Sequence, residues 1–415
     1  MRPLSRPLNP KRFHPRVLLA GGLALSLLAA SAQTPTEELV KQLVEDSQKH
    51  KIERVLKEDD ALHQAELACV LLASDVSSYT DHLGEVQAAC LKAGRLDDAQ
   101  LLASKMSLLG NETGTSQLMV AQARAGRFEE ARRVLEGLRT NLPRLTSYRR
   151  QSAERDIALA EGLMSEKEPA DSLLEPLLPE HSLEVEAEWI LAGKKSAPLP
   201  ESAVLARIKK VPVSPLAGGK YAIACATMLL KNAESKAEGA KVLTLAGKIC
   251  LETPHANAHR LLLDVARCAR DHDLKPDATK AMSFFLKLCA GYSAKSEWKA
   301  GYLADAAILL HEWKEDELAD KARQDARAAL KEVFVADVAR ELVATARAAH
   351  GLGLPAERDQ AALDALHSAR VHPHPRVRGD AAVAVCLLYA SLNESIPQPV
   401  RDALRKVQEG APATP

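Results

Sequence analysis

Apolar residues recur along this chain at helical spacing. Phe128, Ala131, Leu135 and Leu138 share one face of a helix, and Glu129, Glu130, Arg132, Arg133, Glu136 and Arg139 occupy the other. Glu129 stands four residues ahead of Arg133, a favourable helical ion-pair spacing. Thirty-two residues earlier the same face reads Leu96, Ala99, Ala103 and Met106, and the preceding helix carries Leu83, Val86, Cys90 and Ala93. The segment Ala93-Gly94-Arg95-Leu96-Asp97-Asp98-Ala99 recurs as Ala125-Gly126-Arg127-Phe128-Glu129-Glu130-Ala131. Gly94 and Gly126 are placed to take the left-handed conformation that ends one helix and turns the chain into the next. Ala99 and Ala131, five residues on, are small enough for two helices to approach closely.

This helix–Gly turn–helix unit resembles the tetratricopeptide repeat over about residues 80–140. The period is 32 rather than about 34, and Leu83 and Thr115 stand where that family has large aromatic residues. A fainter copy runs from Lys275 to Ala281, with Pro276 in place of the Gly and with Ala281 and Phe285 at the small and large positions of the second helix. Pro375-Arg376-Val377-Arg378-Gly379-Asp380-Ala381-Ala382 resembles the start of a HEAT-type second helix. These resemblances imply an all-α fold, a right-handed α-solenoid of antiparallel helix pairs, and a concave groove that takes a protein or peptide partner.

Proline and glycine divide the rest. Pro169, Pro176, Pro179, Pro198, Pro200, Pro212 and Pro215, with Gly218-Gly219, interrupt the region 166–219, which is expected to be a junction with short helices. It separates an N-terminal array (33–165) from a C-terminal one (220–409), and 410–415 is expected to be a disordered tail. The first 32 residues read as a secretory signal. Arg2, Arg6, Lys11, Arg12 and Arg16 precede the apolar run Val17–Ala30, and an Ala-Ser-Ala site places cleavage between Ala32 and Gln33. No later stretch is long and apolar enough for a membrane span. The expected location is therefore exported, periplasmic or secreted, in a bacterial cell, with no stable membrane insertion after cleavage.

Composition supports the helical reading: Phe, Tyr and Trp make up 3% of the chain, and Ala and Leu dominate the apolar residues. The formal charge of zero becomes −5 once the five bases of the leader are removed, which argues against general nucleic-acid binding. Catalytic patterns fail one by one. Gly193-Lys194 and Gly219-Lys220 lack the rest of a phosphate loop. Asp271-His272-Asp273 lacks the closing acid of a calcium loop. His311-Glu312 lacks the second His of a zinc protease, and His255 with His259 reads as a pair of surface histidines. The basic cluster Arg370, His372, His374, Arg376 and Arg378 reads as a solvated edge. Seven cysteines admit either bridges between successive helices (Cys69–Cys90, Cys225–Cys250, Cys268–Cys289) or burial as small hydrophobes. No cofactor, metal site or catalytic residue is expected. The expected role is a non-catalytic interaction scaffold. The alternatives are a carbohydrate-active enzyme on an α/α-toroid, which needs aromatic platforms that only Trp189, Trp298 and Trp313 could supply as indoles, and a membrane-tethered assembly factor.

Overall fold

The structure, a computed structural model, describes residue 65 and residues 76–408, with breaks at 109–110, 212–214, 253–255, 293–297 and 333–334. These residues belong to one compact unit. The expected cleavage site at Ala32 and Gln33, the tail, and Cys69 and His255 lie outside the described residues. Among the described residues the chain is all-α, with no strand and seventeen α-helices. In order they are α1 (Val76–Lys92), α2 (Leu96–Leu108), α3 (Thr113–Arg124), α4 (Phe128–Asn141), α5 (Ser147–Met164) and α6 (Pro179–Leu191). Then come α7 (Glu201–Lys209), α8 (Pro215–Leu230), α9 (Lys236–Glu252), α10 (Ala256–Asp271), α11 (Lys275–Gly291) and α12 (Lys299–Glu312). The last are α13 (Asp316–Ala329), α14 (Val335–Gly351), α15 (Pro355–Arg370), α16 (Pro375–Ser391) and α17 (Gln398–Gln408). Proline in the first turn marks the start of α6, α11, α15 and α16, where its missing N–H costs no helical hydrogen bond.

One turn geometry is used seven times among the described residues. Gly94, Gly126, Gly193, Asp273, Lys314, Gly353 and Asn393 all have φ between 54° and 75°. In each turn the next residue's N–H donates to the carbonyl five positions back, as in Arg95 to Cys90, Leu274 to Ala269 and Glu394 to Tyr389. This hydrogen-bonded left-handed cap satisfies carbonyls that the helix end leaves open. The residue five beyond the turn packs into the neighbouring helix: Ala99, Ala131, Ala278 and Ala319 are all buried. The register expected for the third copy is therefore corrected. The turn residue is Asp273, the small residue is Ala278, and Pro276 belongs to the first turn of α11. Ala281 is buried one turn further along the same helix. Four such turns, at 273, 314, 353 and 393, recur about every 40 residues, so the C-terminal half has a repeat of its own.

The helices form two layers. Inner helices pack in succession, α1 on α3, then α5, α6, α8, α10, α12, α14 and α16, and α16 packs back on α1. The remaining eight helices lie outside, each against its inner neighbours. The stack is thus a closed ring, whereas the solenoid resemblance implies a groove open along its length. Closure joins residues almost 300 positions apart: His82 Nε2 lies 2.6 Å from Asp380 Oδ1, and Arg376 lies 3.3 Å from Asp81. Helix α6, from the proline-rich region, joins the two halves. Val185 and Trp189 pack into the core of α3–α5, and Leu183, Ala187 and Ile190 pack into that of α8–α10.

Candidate functional site

The inner wall from α1 to α10 lines an open cavity of about 1200 Å³. Its floor is aliphatic: Leu91 from α1, Val120 from α3, Leu159 from α5, Val185 and Leu191 from α6, and Ile223 from α8. Charges stand over this floor as a belt in which one helix is tied to another. Arg124 of α3 donates to Glu188 of α6 at 2.7 Å. Arg155 of α5 holds Asp156 at 2.8 Å and approaches Glu184 of α6 at 3.7 Å, and Lys220 of α8 reaches the same Glu184 at 3.1 Å. Further round the ring, Arg260 and Arg267 of α10 pair with Asp305 and Glu312 of α12. The belt follows from helix periodicity, because each inner helix buries one face against the outer layer and leaves a polar strip toward the lumen.

Two wall carboxylates are raised above their ordinary range. Asp264 of α10 is exposed to the cavity that it lines, and desolvation by the helices crowded around that cavity lifts it, while Arg260, Arg267 and Lys220 pull the other way. Desolvation by the surrounding helices likewise lifts Glu85 of α1, itself an exposed residue beside the closing contact, opposed chiefly by His82 and reinforced by Asp380. Asp156 is a buried acid of the wall and accepts from Ser116 at 2.6 Å as well as from Arg155.

The residues singled out from sequence stand elsewhere. Gly94 lies at the cavity mouth, while Ala99, Gly126, Ala131 and Ala281 shape turns and helix contacts. His259 bonds the Tyr292 hydroxyl. Cys90 is buried, and Cys225, Cys250, Cys268, Cys289 and Cys386 are buried free thiols, so Cys225–Cys250 and Cys268–Cys289 are not bridged. Burial pushes the thiols of Cys225, Cys250, Cys289 and Cys386 up to about 12, far from a nucleophile's range. Of the three indoles, Trp189 is fully buried with its Nε1–H on the Leu159 carbonyl, and Trp313 lies under the Arg270 guanidinium. Trp298 alone is exposed, and the cavity lining contains no aromatic side chain among the described residues.

The belt was not foreseen because its partners lie up to 64 residues apart. Each charge sits in a segment that, taken alone, reads as an ordinary solvated helix face. No family model, curated protein or solved structure matches the chain.

Proposed function

We propose that this protein is a non-catalytic ring scaffold that binds a protein or peptide segment against its inner wall. The observation that carries this reading is the aliphatic floor overlaid with both signs of charge. A polypeptide offers aliphatic side chains, charges of both signs and backbone hydrogen bonds to such a wall. A sugar would want an aromatic platform, and a polyanion a wall of one sign. The right-handed stacking of antiparallel pairs implied by the tetratricopeptide resemblance belongs to this proposal, as does export guided by residues 1–32.

A photo-crosslinking residue at Leu191 or Ile223 tests it in the native cell envelope. The same polypeptide should be captured from both positions, lost in Arg124→Glu/Lys220→Glu, and absent when the crosslinker is moved to Arg133 on the outer layer. Failure to capture a common polypeptide from the two wall positions counts against the scaffold. Ring closure is the observation that favours an enzyme on an α/α-toroid, with Asp264 as its raised carboxyl. Polysaccharide cleavage abolished by Asp264→Asn would reverse the order of the two readings.

A further inference from the structure

The two rims of the ring differ in charge. Where two ion pairs span one inner interface, they advance together along both helices: Arg260–Asp305 with Arg267–Glu312, and Asp81–Arg376 with His82–Asp380. Inner neighbours at these interfaces therefore run parallel. The pairing of Arg124 with Glu188, each in the last turns of its helix, places α3 and α6 the same way. Inner helices thus begin on one rim and end on the other, and the outer helices that return the chain begin where inner ones end.

Acids are sorted accordingly. Outer helices α2, α4, α7, α9, α11, α13 and α15 each carry one or two acids in the first turn. Inner helices α1, α3, α5, α8, α10, α12 and α16 carry none there, although acids at a helix start are stabilising; α6, with Glu180, and the outer α17, with no such acid, are the exceptions. On the inner-start rim the bases Arg144, Arg149, Arg150, Lys210, Arg370 and Arg376 outnumber the acids Glu112, Glu180, Glu252 and Asp81, the last of which pairs with Arg376. The exposed aromatics Tyr148 (79% exposed) and Trp298 (39%) begin α5 and α12 on this rim, and Val371 (76%) leads into α16.

We propose that this basic rim docks the ring flat on an anionic phospholipid bilayer. Its cations are spread over the starts of several helices, which suits a surface rather than a single small anion in a cleft. Tyr and Trp are the side chains that settle at the level of the headgroups, and arginines beside them draw on the negative surface potential. Docking leaves the lumen reading untouched, since none of these residues lines the cavity.

The test uses the full chain and vesicles of phosphatidylcholine, with or without about a third phosphatidylglycerol, carrying brominated acyl chains. Trp298 is the reporter, identified by comparison with Trp298→Phe. With the anionic lipid, Trp298 emission should be quenched. Each arginine is worth about fivefold in partitioning, so Arg144→Glu/Arg149→Glu/Arg150→Glu should weaken binding on the order of a hundredfold or more. A control reversal on the opposite rim, Lys231→Glu/Lys236→Glu/Lys275→Glu, makes the same change in net charge and should leave quenching in place. Circular dichroism confirms that each variant is folded. Equal loss in both triple variants overturns the proposal, because net charge or the basic leader would then account for binding. Equal quenching on pure phosphatidylcholine overturns it too, as does binding to a soluble polyanion without quenching on vesicles.

Discussion

Lys314 and Asn393 occupy a backbone conformation that costs a side chain energy, at positions where the equivalent turns carry Gly94, Gly126 and Gly353. Lys314→Gly should therefore stabilise the protein by about 0.5–1 kcal/mol, read as a higher midpoint in urea unfolding. The opposite holds at Gly162. A Cβ there would sit 2.1 Å from Nε1 of the fully buried Trp189. Gly162→Ala should cost about 1–3 kcal/mol and redshift tryptophan emission as the indole is displaced. Sequence shows the turns at Gly94 and Gly126 because glycine announces a left-handed residue. It hides those at Asp273 and Lys314, where the surrounding hydrogen bonds impose the same geometry on residues that do not advertise it. The buried free thiols of Cys225, Cys250, Cys268, Cys289 and Cys386 give a further expectation: a thiol reagent should label none of these five quickly in the native protein and all of them in denaturant.

Among elements, α15 breaks the rule its equivalents keep. At the position where α2, α4, α11 and α13 place a buried Ala, it has Arg358, only 4% exposed. The guanidinium is held by Asp359 at 2.7 Å and Glu394 at 2.7 Å and lies over the Tyr389 ring, whose hydroxyl donates to Asp359. Arg358→Ala should cost about 2 kcal/mol, because it leaves partly buried carboxylates without their donor and opens a gap. Helix α1 offers a pH test. Glu85 is exposed but raised by desolvation from the helices around it and by Asp380, so the folded state holds its proton more tightly than the unfolded chain. Stability should then fall as pH climbs from the unfolded carboxyl range through the raised folded value. Glu85→Gln should remove that fall and leave acid-side stability unchanged in parallel urea titrations. The helices themselves were legible, since a repeating apolar face fixes both their existence and their buried side. The wall pairs were not, because partners such as Arg124 and Glu188 meet only when the fold brings their helices together.

At the scale of the molecule, the closing of α16 onto α1 could not be read from the chain. Neither Asp380 nor His82 marks itself, and 298 positions separate them. Asp380 lies in a helix whose sequence suggested only repeat flavour. Closure also changes how such a stack fails. In a linear array each repeat leans on its neighbours, so the terminal repeats have support on one side only and fray first. A ring has no terminal repeat: every inner helix is flanked on both sides, and no segment can open alone without first breaking an interface. Amides of α1 and α16 should therefore exchange with deuterium as slowly as those of α10, in the middle of the chain. In His82→Ala/Asp380→Ala the same two helices should become the fastest to exchange, as the cycle reverts to a line with two loose ends.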